Sequence, residues 1–309
     1  ILNNLIYLFE FVDSKMNSTF VSRKSDLSIM ESTLGTKGKT EYIRGIVFSQ
    51  KNIISLLQTA AYVKELSLHD INLEDVIAWF FKDYLSLEFN ANDFYFSPSS
   101  EGTTYREQCR NLLIEMDSIL KQFNMFVSSK GINRELFEFA SEPIVFSQIK
   151  SFNEQKYGYL DDKEVNDAIF ALFSDQSTIH YVEKIGSKYP NFLQMILHEN
   201  LKTTDFKEYQ VPAINKLIYT NYLYLNENGY IKPNIEKAVI LRDIYYDEVI
   251  RVDHYKSNAY LNTLIEEHKV VTSGTLFSKP EQDYLDYMLN MHKYSNGLDL
   301  RNKYCHGNI

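Results

Sequence analysis

The chain has little cysteine and no long apolar run. Its two cysteines, Cys109 and Cys305, lie far apart among 309 residues, so they predict neither a disulfide framework nor a zinc cluster. No uninterrupted apolar run approaches the roughly 18 residues of a membrane span, and the opening residues lack the basic flank and cleavage site of a signal peptide. These absences favour a reducing, cytoplasmic setting without a membrane segment.

An excess of positive charge is also missing. The chain has 32 Lys and Arg against 41 Asp and Glu, which gives a formal net charge of −9. Because nonspecific coating of nucleic acid depends on clustered cations, this balance argues against that class of protein. It leaves room for a local positive patch, which the C-terminal region supplies with Lys293, Arg301, Lys303 and His306.

Patterns typical of metal sites and of base-stacking surfaces are absent too. The histidines other than His306 show no spacing typical of zinc ligands, and we expect no metal ion and no other cofactor. The 23 Tyr and 20 Phe are spread along the whole chain and are not interleaved with Lys and Arg, which favours core packing over stacking on nucleotides. Trp79 is likewise predicted to lie in the core.

What the sequence does contain is helical periodicity. Apolar residues recur at intervals of three and four along most of the chain, as in helices that pack on one side. The stripe that includes Ile53, Ile54 and Leu57 is one example. The predicted helices lie at 1–12, 42–68, 72–87, 105–127, 133–143, 161–174, 178–187, 190–201, 211–227, 234–251, 256–269 and 279–293.

Two local signals refine this pattern. Asn72 follows a break in the apolar stripe and predicts the start of a new helix, because asparagine is a preferred N-cap. Asn228-Gly229 predicts a tight turn, with a small hairpin as an alternative.

The predicted fold class is all-α with two helical domains. A chain of this length exceeds the usual size of one hydrophobic core, and the stretch at 150–160 is the best candidate for a boundary. We expect residues 1–155 to form an N-terminal helical domain that senses a signal or binds a protein partner. We expect residues 156–309 to form a C-terminal helical domain that is truncated at its end, in a piece of a longer protein, since a helix opening at Arg301 has little room to continue.

One short segment carries a chemical pattern, Arg301-Asn302-x-x-x-His306-Gly307. An arginine five positions before a histidine arises by chance in roughly one such chain in five or six, and the added Asn and Gly lower this to on the order of one in a thousand. Arginine offers a planar, permanent cation that fits phosphate oxygens, and histidine gives or takes a proton near neutral pH. Since RNA carries its own 2′-hydroxyl nucleophile, these two groups are the ones needed to cleave it without a metal ion.

The motif resembles the signature of the HEPN superfamily, and more narrowly a bacterial group of uncharacterised domains with an RN-x-x-x-HG motif. The resemblance covers only about the last thirty residues. It implies a HEPN-like helical bundle at the C-terminus and a metal-independent endoribonuclease that acts as a toxin or antiviral effector. In this interpretation His306 is the general acid/base, Arg301 the phosphate clamp and Asn302 their orienting neighbour, with Lys303 and Lys293 as RNA-binding cations.

The spacing and the resemblance both point to a homodimer through the C-terminal domain. Residues five apart on a helix differ by roughly 140° of rotation, so one copy of Arg301 and His306 makes a poor compact site. Two copies across a two-fold axis would bring both pairs into one cleft. The expected partners are therefore RNA, a second copy of the chain and a protein bound by the N-terminal domain.

Two other interpretations remain open. The chain can be a non-catalytic HEPN-like scaffold or partner-binding subunit of a defence or toxin–antitoxin complex, or an unrelated helical protein with a chance motif. Arg301 and His306 would then be a helix-terminal cation and a surface histidine. Cys305 is expected to be a buried small residue, since nothing near it in the sequence marks a reactive thiol.

Overall fold

The chain is mainly helical. A computed structural model describes residues 1–34, 38, 40–139 and 143–305; about 53% of the chain is helical and 8% lies in strands. The expectation of a purely all-α fold is wrong, because short strands pair into two small antiparallel sheets.

The helices are α1 (Ile29–Leu34), α2 (Ile46–Leu68), α3 (Leu73–Trp79), α4 (Leu85–Phe89), α5 (Tyr105–Ser129), α6 (Arg134–Phe139), α7 (Lys163–Phe173), α8 (Phe192–His198), α9 (Val211–Tyr219), α10 (Ile235–Asp247), α11 (Ala259–Glu266), α12 (Lys279–Leu289) and α13 (Leu300–Cys305). The strands are β1 (Tyr157–Leu160), β2 (Leu223–Leu225), β3 (Ile231–Pro233), β4 (Ile250–Arg251) and β5 (Val270–Ser273).

The chain divides into two compact units whose limits differ from those of the predicted domains. Unit 1 comprises Ile1–Glu154 and the C-terminal segment from Gly274, and unit 2 comprises Gln155–Ser273. The predicted domain at 156–309 is thus divided between the units, since its last part packs with the N-terminal half. The stretch at 150–160, predicted as a connection, contains strand β1.

Contacts distant in sequence place the C-terminal segment in unit 1. The backbone N–H of Leu276 donates to the carbonyl of Ile149 at 2.7 Å. The ring of Tyr287 on α12 stacks on Tyr42, with centroids 4.6 Å apart, and both rings are buried. Because each pair joins residues that no local pattern connects, the return of the chain to unit 1 is a tertiary effect.

Unit 1 is built from small clusters around α5. This helix confirms the prediction at 105–127 and begins with a capping box, in which Thr104 and Glu107 satisfy each other's backbone N–H groups. Its apolar face supplies Ile119 to one cluster and Leu120 to another. The buried members of the three clusters are, in turn, Ala91, Phe94, Phe96 and Ile119; Leu120, Phe146, Ile149 and Leu289; and Tyr42, Phe48 and Tyr287.

Unit 2 contains a three-stranded antiparallel sheet in the order β4-β1-β5. Gly158 in the central strand pairs with Ile250 on one side and Thr272 on the other. A Cβ at Gly158 would lie 2.9 Å from a methyl carbon of Val270, so this close approach requires glycine. A second sheet is the hairpin β2–β3, which confirms the alternative raised by Asn228-Gly229.

Several predicted helices end early or are absent. The segment at 178–187 is not a helix, because it closes a turn with a bridge between Val182 and Gly186 and the glycine has a φ of +64°. The helices predicted at 211–227 and 234–251 stop before their ends, where the chain continues as β2 and β4. At positions 1–12 the structure has only a π-helical turn over Asn4–Leu8, preceded by two α-helical residues.

Two predictions of burial are also wrong. Trp79 exposes 50% of its surface, and the stripe of α2 that includes Ile53, Ile54 and Leu57 faces solvent instead of a core. Helical periodicity shows which residues share a face but not what that face meets. The start of α3 is as predicted, since the side chain of Asn72 accepts a hydrogen bond from the backbone N–H of Glu74.

Candidate functional site

The motif begins on α13, the short helix Leu300–Cys305 in unit 1. Leu300 packs against the cluster that contains Leu120, Phe146 and Leu289. This contact anchors the start of α13 to the apolar face of α5 and to the end of α12. His306 and Gly307, the second half of the motif, lie outside the described residues.

Arg301 is held by two polar partners and one aromatic ring. One terminal nitrogen, Nη2, donates to Oδ1 of Asp117 on α5 at 2.7 Å, and the other, Nη1, donates to Oδ1 of Asn290 at 2.8 Å. The guanidinium carbon lies 5.8 Å from the centre of the Phe146 ring. Because both terminal nitrogens of the guanidinium donate hydrogen bonds, the structure gives Arg301 a fixed orientation.

The guanidinium lies at the edge of the solvent. The Arg301 side chain retains 16% of its exposure, and its partner Asp117 retains 29%. The Nε of Arg301 is buried and makes no hydrogen bond to any residue in the described ranges. A buried N–H donor without an acceptor lowers the stability of the fold. The Nε is therefore the atom of Arg301 at which a hydrogen-bond acceptor would stabilise the protein most.

Asp117 is an imperfect counter-ion for Arg301. Burial raises the pKa of the Asp117 carboxyl, and the charge and hydrogen bond of Arg301 with the charge of Lys121 only partly oppose this effect. The pKa therefore ends above its ordinary value. In free-energy terms, the attraction to Arg301 does not fully repay the desolvation of the carboxylate. The ion pair of Arg301 and Asp117 therefore orients the guanidinium more than it stabilises the fold.

The other predicted site residues that the structure describes are not gathered around Arg301. The amide of Asn302 donates to Oδ1 of Asp299 at 2.8 Å and so does not orient Arg301. Lys303 is exposed on α13. The ammonium of Lys293 is bonded to the carboxylate of Asp283, so its charge is locally compensated. Among the predicted cations that the structure describes, only Arg301 is bonded to a residue far away in the sequence.

Sequence reasoning missed Asp117 and Asn290. A signal for Asp117 existed, because the acid shares one face of α5 with Leu113 and Leu120, four residues before and three after it. An acid inside an apolar face needs a cationic partner. Asn290 ends α12, and nothing local marks its side chain as a ligand for Arg301.

Cys305 ends α13 and is half-buried. Burial raises the pKa of its thiol, and the charge of Asp117 adds to this effect. A raised pKa disfavours the thiolate, which is the nucleophilic form of cysteine. In the ranges that the structure describes, no three His, Cys, Asp or Glu side chains form a group suited to a metal ion.

The chain is not measurably similar to known proteins. Comparison with protein-family models, with curated proteins and with solved structures gave no significant match. Within the described residues, no helix is both long and apolar enough to cross a membrane.

Proposed function

We propose that this chain is a metal-independent endoribonuclease of the HEPN type that acts as a toxin or antiviral effector in a bacterium. The observation that carries the proposal is the arginine of the motif, oriented at the solvent edge by Asp117 and Asn290 at 2.7 and 2.8 Å. A phosphate clamp needs such an orientation before substrate arrives, because positioning is then no longer a cost of binding.

The reaction uses the nucleophile that RNA supplies. The 2′-oxygen forms a bond to phosphorus, its proton leaves to a base, the bond from phosphorus to the 5′-oxygen breaks, and a proton is returned to that oxygen. His306 acts as the acid/base. Arg301 stabilises the charge that grows on the phosphorane oxygens. A second copy of the chain supplies the second Arg301 and His306 of a composite site.

Arg301 keeps hydrogen-bonding capacity for a phosphate. Each terminal nitrogen has two hydrogens, and the contacts to Asp117 and Asn290 use one on each. Since burial already disfavours the charged form of Asp117, a phosphate that approaches the fork competes with a weak counter-ion.

Cleavage of labelled RNA in EDTA tests the proposal, with the full-length protein as wild type, Arg301→Ala and His306→Ala. We expect cleavage to survive the chelator and to fall by on the order of a hundred-fold or more in each variant. Arg106→Ala, in an exposed position, and His292→Ala, whose side chain is 72% exposed, are the matched controls and retain full rate. Unchanged cleavage in the motif variants shows that the motif is not the site.

The second candidate is a non-catalytic helical module that scaffolds a defence or toxin–antitoxin complex. One observation favours it: Arg301 contacts Asp117 on α5, Asn290 after α12 and the ring of Phe146, as an arginine that joins helices does. This candidate predicts no cleavage under any condition and a loss of stability in Arg301→Ala.

Asp117→Asn separates the two candidates. The amide keeps an oxygen acceptor for Nη2 of Arg301 but removes the competing negative charge. For a nuclease we expect tighter RNA binding, with the slope of log affinity against log salt steeper by about one unit. For a scaffold RNA binding stays absent. Binding is measured with a cleavage-resistant RNA whose 2′-hydroxyls are methylated.

A further inference from the structure

The helix α2 presents an apolar face that no part of the described chain covers. Its 23 residues correspond to a rod about 35 Å long. Only Phe48 and Leu66 are buried, whereas the large apolar residues on the opposite side expose between 43% and 71% of their surface. The exposed set is Ile46, Ile53, Ile54, Leu56, Leu57, Val63 and Leu68.

This face is large enough to be an interface. Together the seven residues expose on the order of 800 Å², about the share that one partner contributes to a standard protein interface. Apolar patches on monomers rarely exceed about 600 Å². Scattered exposed apolar residues need no explanation, but a single helix that carries seven of them does.

The charge of the face excludes nucleic acid as its occupant. From Asn52 to Val63 the helix has no charged residue. Lys51 is paired with Asp26 at 3.2 Å, which leaves Lys64 as the one cation on the apolar side. Since phosphate binding depends on clustered Lys and Arg, the occupant is an uncharged surface.

The face is complementary to itself when reversed about Leu57. In an antiparallel pair centred there, Leu57 meets its own copy, and residues at equal distances from it face each other. Two of the large side chains then meet small ones: Ile53 opposes Ala61, and Ile54 opposes Ala60. Alternation of large and small side chains is the condition for two helices to interdigitate closely.

The polar and terminal positions of the face fit the same register. Lys64 opposes Gln50, whose amide oxygen accepts from an ammonium group, so the only cation on the face finds an acceptor. Ile46 opposes Leu68, which closes both ends of the contact with apolar residues. All four residues are exposed in the single chain.

We propose that two copies of this chain associate through an antiparallel contact of their α2 helices, with the two-fold axis at Leu57. The contact is isologous, so each pairing away from the axis occurs twice. It lies outside the motif and depends on the α2 face alone, so it holds whether or not the chain cleaves RNA. The α2 contact also brings a second copy of the chain, which a nuclease site built from two copies of Arg301 and His306 would require.

Sedimentation velocity over a range of concentrations tests the contact. The wild type is expected to be a dimer, and Leu57→Glu, which puts two carboxylates at the axis, weakens the dimer by about a hundred-fold. Leu87→Glu is the matched control, because Leu87 on α4 is also exposed, and it leaves the dimer intact. A monomeric wild type, or a dimer that Leu57→Glu leaves unchanged, overturns the proposal.

Cross-linking tests the register. With Cys109 and Cys305 changed to Ser, Leu57→Cys is expected to couple to its own copy with a short thiol cross-linker. Ser67→Cys is not, because an antiparallel pair sets its two copies about 30 Å apart. Coupling of both variants indicates parallel helices, and binding of monomers to neutral phospholipid vesicles indicates a membrane surface; either result overturns the proposal. RNA cleavage by the Leu57→Glu variant is measured separately, so that failure of the nuclease and of the α2 contact remain distinguishable.

Discussion

The two units bury apolar residues in different ways. Unit 2 has one continuous core, to which helices α7 to α11 and strands β1 to β5 all contribute buried or partly buried residues. In unit 1 most of the buried apolar residues described fall into three small clusters with three or four buried members each, and Val21 and Leu66 belong to none of them. Long exposed apolar stretches, above all the face of α2, also belong to unit 1. Similar residue types thus give a closed core in one unit and a divided one in the other.

The difference indicates which unit resists local unfolding and which unit exposes apolar surface. A continuous core provides many mutual contacts for each side chain and resists local opening. Divided clusters depend on fewer neighbours, and surfaces between them remain available to partners. The motif helix and the α2 face both lie in unit 1, the unit that carries most of the exposed large apolar residues described.

The largest expected effect is in the core of unit 2. Ile196 on α8 is completely buried, and Ile196→Ala leaves a cavity that its neighbours fill only in part. We expect a loss of about 4 kcal/mol, measured as loss of hydrogen-exchange protection throughout unit 2. Leu197→Ala on the same helix, at a residue 43% exposed, should change protection little. If both variants lose the same protection, the core of unit 2 is not continuous.

The same substitution in unit 1 is expected to cost less. Ile119 on α5 lies in a cluster of four buried residues and exposes 9% of its surface, so its neighbours relax more easily around the gap. Ile119→Ala should reduce the stability of unit 1 by about 2 kcal/mol, with loss of protection confined to α5 and the segment at 91–96. Equal losses for Ile119→Ala and Ile196→Ala would remove the contrast between the two units.

A smaller, pH-dependent effect is expected at an ion pair in unit 2. Arg251 grips Asp253 with hydrogen bonds of 2.8 and 3.0 Å. Burial alone would raise the pKa of Asp253, but the hydrogen bonds and charge of Arg251 outweigh burial and hold this pKa below its ordinary value. A carboxylate with a lowered pKa stabilises the fold above its unfolded pKa, near about 4, and this stability is lost as the pH falls through the folded value.

Asp253→Asn is therefore expected to destabilise unit 2 by about 1–2 kcal/mol at neutral pH. The difference from the wild type should shrink below about pH 4 as the native carboxylate takes up its proton. Urea unfolding at a series of pH values measures it. Asp167→Asn is the control, since its pair with Lys216 at 3.6 Å is more than half exposed and contributes little. A difference that persists at low pH assigns the effect to packing.

The helices follow from local rules where their ends are marked. The capping box of Thr104 and Glu107 and the N-cap Asn72 involve residues within three positions of each other, so the sequence alone predicts the starts of α5 and α3. The three-stranded sheet was missed for the opposite reason. The four residues of β1 acquire hydrogen-bond partners only from Ile250–Arg251 and Val270–Ser273, and such short segments carry no period of their own.

The candidate site shows the same division. The pattern of Arg301 and His306 can be read from the sequence, because its meaning depends on residue types and spacing. The partners of Arg301 cannot be read in this way, since Asp117 lies on another helix 184 positions away. For α2 the periodicity predicted the apolar stripe, but its exposure depends on which other elements reach it.

The helical character of the chain, the starts of α3 and α5 and the residue types of the motif can all be read from the sequence. These features depend on backbone and side-chain interactions over three or four positions. Three other features follow from the folded chain and not from local sequence: the segment from Gly274 joins the N-terminal half, Asp117 orients Arg301, and the α2 face meets solvent. Each of these depends on contacts between residues far apart in the chain, whose cost in chain entropy only the whole fold can offset.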